Sequence, residues 1–157
     1  MNNRIDWLHK NIPDDDETTI VHGDYRLDNM ILKNNEVIGI LDWELSTLGH
    51  PIADFSYHCL SWRTQEAFWD QAKLKELGIP SEKEYMEMYC ENSGKDLSKN
   101  WEFYMAFNMF KIAGILQGIL GRVRDGTAAS KHAEERGNMV FPLSEAAWST
   151  IEENFLK

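Results

Sequence analysis

The sequence predicts an α+β fold that is mostly α: a small β-hairpin packed on a helical body. Three observations carry this reading. An Asn34-Asn35 pair sits between two short β-prone runs and suits a tight two-residue turn. From Pro51 onward, apolar residues recur at helical spacing. The 157 residues are 43% hydrophobic and 27% charged, enough for one packed core and too apolar for a disordered chain. Residues 1–157 are therefore read as a single domain, with a loop and hairpin over 18–44 and a helical body over 51–157.

Residues 4–10 read as the end of a short helix. Pro13 to Glu17 is an acidic, solvated turn. Thr18 to Val21 is β-prone and leads into His22-Gly23-Asp24. Met30 to Lys33 and Val37 to Leu41 are the two hairpin strands, and the second delivers Asp42 at its end. Ile52 to Arg63 predicts one helix, and Glu66 to Leu77 a second, stopped by Gly78 and Pro80. Ser81-Glu82-Lys83-Glu84 is a capping box. It opens a helix that runs to about Asn92, with Gly94 just past its end. Residues 98–123 form a long central helix closed by Asp125-Gly126. Residues 127–138 are small and polar, the composition of a mobile loop. Ser144 to Leu156 is a last amphipathic helix.

Charge excludes one class of partner. Lys plus Arg number 16 and Asp plus Glu 26, a net charge of −10. Nucleic-acid affinity comes largely from clustered cations, so no nucleic acid is expected. ATP stays compatible, because a bound metal masks local carboxylates. Cys59 and Cys90 show no CxxC pattern, which points to a reducing compartment. Met1 to Trp7 contains no apolar signal region. The expected location is intracellular: cytoplasmic, or mitochondrial or peroxisomal if a targeting segment lies upstream. Residues 103–120 are very apolar, yet Lys111 sits among them with Asn108 and Gln117 on either side. A buried helix is expected there, and no membrane span.

The chemistry lies in His22-Gly23-Asp24, then Asn29 five residues after Asp24 and Asp42 thirteen further on. Phosphoryl transfer asks a protein for a base near the acceptor hydroxyl and for oxygen ligands to Mg2+ on the phosphates. Asp24, on a tight loop, is the candidate catalytic base. Asn29 offers a neutral carbonyl oxygen and Asp42 a charged one, and the short hairpin brings the two together. They are the candidate Mg2+ and cofactor-binding residues, with ATP as co-substrate. His22 reads as a buried residue bonded to backbone, Arg26 as a phosphate contact or a surface arginine, and Asp28 as a turn-stabilising carboxylate.

This pattern, with Ile40-Leu41-Asp42-Trp43-Glu44, resembles the aminoglycoside phosphotransferase and choline kinase group, itself similar to the protein kinases. Gly23 stands where protein kinases usually carry Arg, and Trp43-Glu44 where they carry Phe-Gly; both favour the small-molecule branch. Gly49-His50-Pro51-Ile52-Ala53-Asp54-Phe55 is similar to that family's glycine–proline–aspartate stretch, which implies that Asp54 braces the catalytic loop. His22 and Gly23 complete the structural support. Met109 to Gly118 looks like a late helix of the same family. The match extends from about residue 4 to 125 and looks most like the branch associated with acyl-CoA dehydrogenase family proteins. The resemblance implies a kinase-like C-terminal lobe that transfers the ATP γ-phosphate to a small-molecule hydroxyl. In that branch the acceptor would be a hydroxyacyl-CoA.

Only 21 residues precede His22, so the family's phosphate-covering loop, strand lysine and helix glutamate have no place there. Lys10 and Lys33 are the nearest lysines, and neither has the right context. The expected partner is a missing N-terminal lobe, or a second copy through self-association, and the chain alone is expected to be inactive. Two rival readings remain open. One is a non-catalytic remnant that survives as a binding module. The other is a metal-dependent hydrolase built from His22, Asp24, His50, Asp54 and His58. Trp62, Trp69, Trp101, Met105 and Met109 read as core.

Overall fold

The computed structural model describes residues 2–15, 17–64 and 71–155. It begins with helix α1 (Asn2–Lys10), strand β1 (Thr19–Val21), hairpin strands β2 (Met30–Lys33) and β3 (Glu36–Ile40), and strand β4 (Thr47–Gly49). Helices α2 (Pro51–Cys59), α3 (Ser61–Thr64), α4 (Gln71–Glu76), α5 (Glu82–Ser93), α6 (Trp101–Arg124), α7 (Ala133–Asn138) and α8 (Val140–Phe155) follow. The fold is mostly helical with small antiparallel sheets, the class the sequence predicts. Contacts gather the chain into two compact units, Pro13–Tyr104 and Met1–Ile12 with Met105–Lys157. The division falls inside α6.

The unit Pro13–Tyr104 holds both sheets. Asn34 and Asn35 take φ of 52° and 63°, the left-handed pair that a two-residue hairpin turn requires. The register pairs Lys33 with Glu36 and Leu32 with Val37, then slips, so Ile31 faces Gly39 and Met30 faces Ile40. Ile38 is the extra residue of a bulge. The second sheet joins β1 to β4, with Thr19 opposite Gly49 and Val21 opposite Thr47. The sequence reading missed β4, which is three residues long and pairs far along the chain.

Helix α2 starts at Pro51, where a missing N–H costs nothing. The His50 ring caps it, Nδ1 accepting from Ile52 N at 3.2 Å. The single helix expected over 52–63 is divided at Leu60 into α2 and α3. Of the next expected helix only α4 falls among the described residues; Glu66 to Asp70, with Trp69, lie outside them, as does Asp16 of the acidic turn. The α5 capping box is present in full, with Ser81 and Glu84 bonded reciprocally, and Gly94 closes the helix at φ 70°. Ile52, Phe55, Cys59, Leu97 and Trp101 are buried in this unit. Phe55 stacks on Tyr89 with ring centres 3.9 Å apart, and Trp62 stacks on Tyr85 at 5.2 Å. Arg63 clasps Glu82 and Glu102, and Trp101 Nε1 donates to Glu82 at 3.0 Å.

In the other unit, Trp7 of α1 meets Phe155 of α8 edge-on, ring centres 4.7 Å apart. Met105, Met109, Val140, Ala147 and Ile151 are buried. Helix α6 is long and apolar enough, by length and composition, to cross a membrane. Its buried positions cluster between Trp101 and Ala113, and from Gly114 on every position is partly or fully exposed. The loop expected over 127–138 contains α7, six residues and too short to show periodicity. Helix α8 begins at Val140, not Ser144. Pro142 falls in its first turn, where the helix needs no N–H from it.

Candidate active site

The site is assembled from one loop, one hairpin and one helix of the unit Pro13–Tyr104. The loop follows β1. Gly23 takes φ 83°, and a Cβ built on it would lie 2.5 Å from the Leu45 carbonyl oxygen. Only glycine fits both the left-handed backbone and that approach. His22 is 3% exposed. Its Nε2 lies 2.7 Å from the Leu41 carbonyl, and its Nδ1 accepts from Asp24 N at 3.2 Å. These partners select the Nε2–H tautomer.

Asp54, in the first turn of α2, binds the loop through its backbone. One carboxylate oxygen accepts from Gly23 N at 2.8 Å and the other from His22 N. Three residues on, Tyr57 Oη donates to Asp24 Oδ1 at 2.6 Å. Burial, then the bond to Asp24, raises the Tyr57 phenol far above its ordinary range, so it stays a donor. The sequence reading did not single out Tyr57. The one available signal is its i, i+3 spacing from Asp54 on a helix that starts at Pro51.

Asn29 ends a 3-10 turn (Leu27–Asn29) that follows the loop, and it is 7% exposed. Its Nδ2 donates to the Asp24 carbonyl at 2.9 Å and to Asp24 Oδ2 at 3.0 Å. With the amide nitrogen so engaged, the side-chain carbonyl oxygen is the atom of Asn29 that could hold a metal. Leu41 N donates to the Asn29 main-chain carbonyl at 2.8 Å, which sets Asp42 at the same hairpin end as Asn29. Asp42 is exposed and adopts φ 66°, ψ 51°, a left-handed conformation that aspartate tolerates better than most residues. Asp24 and Asn29 are thus in direct contact and Asp42 lies at the same hairpin end as Asn29, while Asp54 bonds the amides of His22 and Gly23. Arg26 Nε lies 3.4 Å from Asp24 Oδ2 and 3.9 Å from Asp28.

The hydrolase constellation is not assembled. Among the described residues, no group of three or more His, Cys, Asp or Glu is placed to hold a metal. His50 is spent as the α2 cap, and Asp54 on backbone amides. His58 packs against Tyr25 and Tyr85 at 5.5 and 5.7 Å, and burial lowers its pKa. A cavity of about 310 Å³ opens beside the loop, lined by Ile20, Tyr25, Asp54, Phe55, Tyr85 and Tyr89 among others. Its rim is mostly apolar and aromatic.

The loop, the buried asparagine and the left-handed aspartate at the hairpin end sit in a kinase-like phosphotransferase fold. Residues 3–89 match the Phosphotransferase enzyme family, APH, and the chain belongs to that family. It is 43% identical to mouse acyl-CoA dehydrogenase family member 10, over 94% of this chain and 14% of that protein. It is 38% identical to human acyl-CoA dehydrogenase family member 11, over 99% of this chain and 21% of that protein. A crystal structure from Ralstonia eutropha, described provisionally as an aminoglycoside phosphotransferase, is 45% identical with a TM-score of 0.87. That match covers 97% of this chain and 48% of the solved one. The chain therefore spans about half of its solved relative and only 14% and 21% of these two curated ones.

Proposed function

We propose that this chain is the catalytic-loop half of a small-molecule kinase. It would transfer the ATP γ-phosphate to a substrate hydroxyl. The observation that carries the reading is the direct bond between Asn29 and Asp24, with Asp42 held at the same hairpin end through the Leu41–Asn29 contact. Asp24 accepts or orients the acceptor hydroxyl proton. The Asn29 side-chain carbonyl and the Asp42 carboxylate would hold Mg2+. Two protein oxygens suit an ion that takes most of its other ligands from phosphate and water. When bound, Mg2+ neutralises charge on the transferring group. Asp54 holds the loop backbone, and His22 holds the loop to the second hairpin strand.

The nucleotide-covering groups would come from a further segment or chain. The half of the solved relative that this chain does not span supports that reading. So does the hairpin, which exposes Ile31, Leu32, Val37 and Ile38 at neighbouring positions and thus on both faces. A hydroxyacyl-CoA acceptor is supported by the acyl-CoA dehydrogenase names of the relatives.

The experiment is γ-phosphate transfer from labelled ATP to a hydroxyacyl-CoA and to an aminoglycoside. The chain is supplied with the N-terminal half of a family member, and Asp24→Asn is run beside it. Loss of about 10²-fold or more in kcat with Mg2+ present fits general-base catalysis. Undiminished transfer by Asp24→Asn sinks the assignment. The exposed hairpin face also supports a second reading, an assembly module. A monomer that binds no apolar dye counts against it.

A further inference from the structure

We propose that the cavity beside the loop is a binding site for an apolar chain, and that it seats the apolar part of the acceptor along the loop that carries Asp24. The second clause rests on the small-molecule kinase reading; the first stands without it. Strand β1 supplies Ile20 to the lining, α2 Pro51 and Phe55, α5 Tyr85 and Tyr89, and the loop Tyr25. The volume of about 310 Å³ falls at the small end of ligand sites. At the ~30 Å³ that a water-sized group takes in a liquid, about ten such groups fit.

The rings of the lining hold one another in place. Phe55 stacks on Tyr89 with ring centres 3.9 Å apart and meets Tyr85 at 5.4 Å, and Trp62 backs Tyr85 at 5.2 Å. His58 packs against both Tyr25 and Tyr85, at 5.5 and 5.7 Å. Walls fixed before a ligand arrives lose little freedom when it binds. Among the described residues that line the cavity, only Asp54 is charged, and its two oxygens accept the Gly23 and His22 amides. Burial raises the Tyr85 and Tyr89 phenols, so both stay neutral. A charged ligand therefore meets no uncommitted counter-charge in this lining. A hydrocarbon chain gains from each methylene it removes from water, about fourfold in affinity. Of a hydroxyacyl-CoA and an aminoglycoside, only the first carries such a chain. Tyr25 follows Asp24 directly, and Asp54 binds the two residues before it, so the cavity and the proposed base share one loop.

The test titrates the whole chain with straight-chain 1-alcohols from butanol to octanol, followed by NMR. NOEs are expected from the alkyl protons to the rings of Tyr25, Tyr85 and Tyr89, with affinity rising about fourfold per methylene. Affinity that does not rise with length, or NOEs to the exposed hairpin residues Val37 and Ile38 in place of those rings, overturns the proposal. So does tighter binding of tetramethylammonium than of butanol at the same rings. Ile20 is largely exposed, so Ile20→Trp adds bulk to the lining without disturbing the core. It should weaken octanol about tenfold or more, while Val37→Ser leaves octanol unchanged; the reverse pattern places the alcohols on the hairpin and overturns the site. Octanol at these rings, in a protein whose Asp24→Asn variant still transfers phosphate, would keep the site and sink the kinase reading. Transfer that depends on Asp24, with no alcohol at these rings, would do the opposite. With transfer in hand, Ile20→Trp should raise KM for hydroxyoctanoyl-CoA more than for hydroxybutyryl-CoA and leave KM for ATP in place. Equal changes for the two acyl chains overturn the acceptor's place in the cavity.

Discussion

Removing the Asp54 carboxylate should loosen the His22–Asp24 loop more than any other single change on α2. The half-buried carboxylate accepts the backbone N–H groups of His22 and Gly23, one on each oxygen. Hydrogen bonds to a charged partner contribute about 1.5–3 kcal/mol each, and a donor left unsatisfied in a buried place costs about 1–3 kcal/mol. Asp54→Ala strips both partners, and some water will reach the half-buried amides. A loss of about 3–5 kcal/mol follows. Asp54→Asn keeps one acceptor and turns an N–H2 toward the other amide, for a loss of about 2 kcal/mol. The assay is urea denaturation of the chain, followed by tryptophan fluorescence. With a slope of about 2 kcal/mol/M, the alanine variant should lose roughly 1.5–2.5 M in midpoint and the asparagine variant about 1 M. The His22 and Gly23 amide signals should move most in both. A midpoint for Asp54→Ala within about 0.3 M of the parent, with those two amides unmoved, refutes the reasoning.

Other residues give sharp outcomes by different routes. Gly23→Ala places a Cβ 2.5 Å from the Leu45 carbonyl oxygen at φ 83°, so stability should fall by about 2–4 kcal/mol on the same urea curve; Gly94→Ala, also left-handed but with open space around it, should cost only about 1–2 kcal/mol. Burial pushes the Cys59 thiol well up, while Cys90 is partly exposed. Ellman's reagent should therefore titrate one thiol rapidly in the native chain and the second only on unfolding. Two fast thiols would contradict the packing. The bonds from Ser81, backbone first and then hydroxyl, lower the Glu84 pKa. The capping box thus adds stability above the ordinary glutamate range and loses it as pH falls through the depressed value. Ser81→Ala removes the hydroxyl and keeps the backbone donor, so the Glu84 NMR titration midpoint should rise part of the way to the ordinary value, and an unchanged midpoint would show that the hydroxyl contributes nothing.

What could be read from the sequence, and what could not, divides along the distance between partners. The Asn34-Asn35 turn, the Ser81–Glu84 box and the Gly94 stop were legible because each is decided within four residues of chain. The closeness of Asn29 to Asp42 was legible for the same reason, since a two-residue turn leaves the hairpin ends nowhere else to go. The β1–β4 pairing joins Thr19 to Gly49, and Tyr57 meets Asp24 across 33 positions. No periodicity encodes either contact. The place of Asp54 against the loop, 31 positions from Gly23, was expected only because of a family resemblance. The Arg63 clasp on Glu82 and Glu102 was not read at all, because three separate helices or their first turns supply it. The short α7 and the early start of α8 were missed for a different reason: one is too brief for a 3.6-residue repeat, and the other begins over a proline that usually signals a stop. The division has a functional side. The side chains proposed to face the phosphates lie within 19 residues of one another, on a loop and hairpin whose geometry is local. The groups that hold them come from α2, beyond the hairpin. A sequence reading therefore finds the atoms proposed for the reaction sooner than the atoms that keep them in place, and the bond of Tyr57 to Asp24 had to come from the structure.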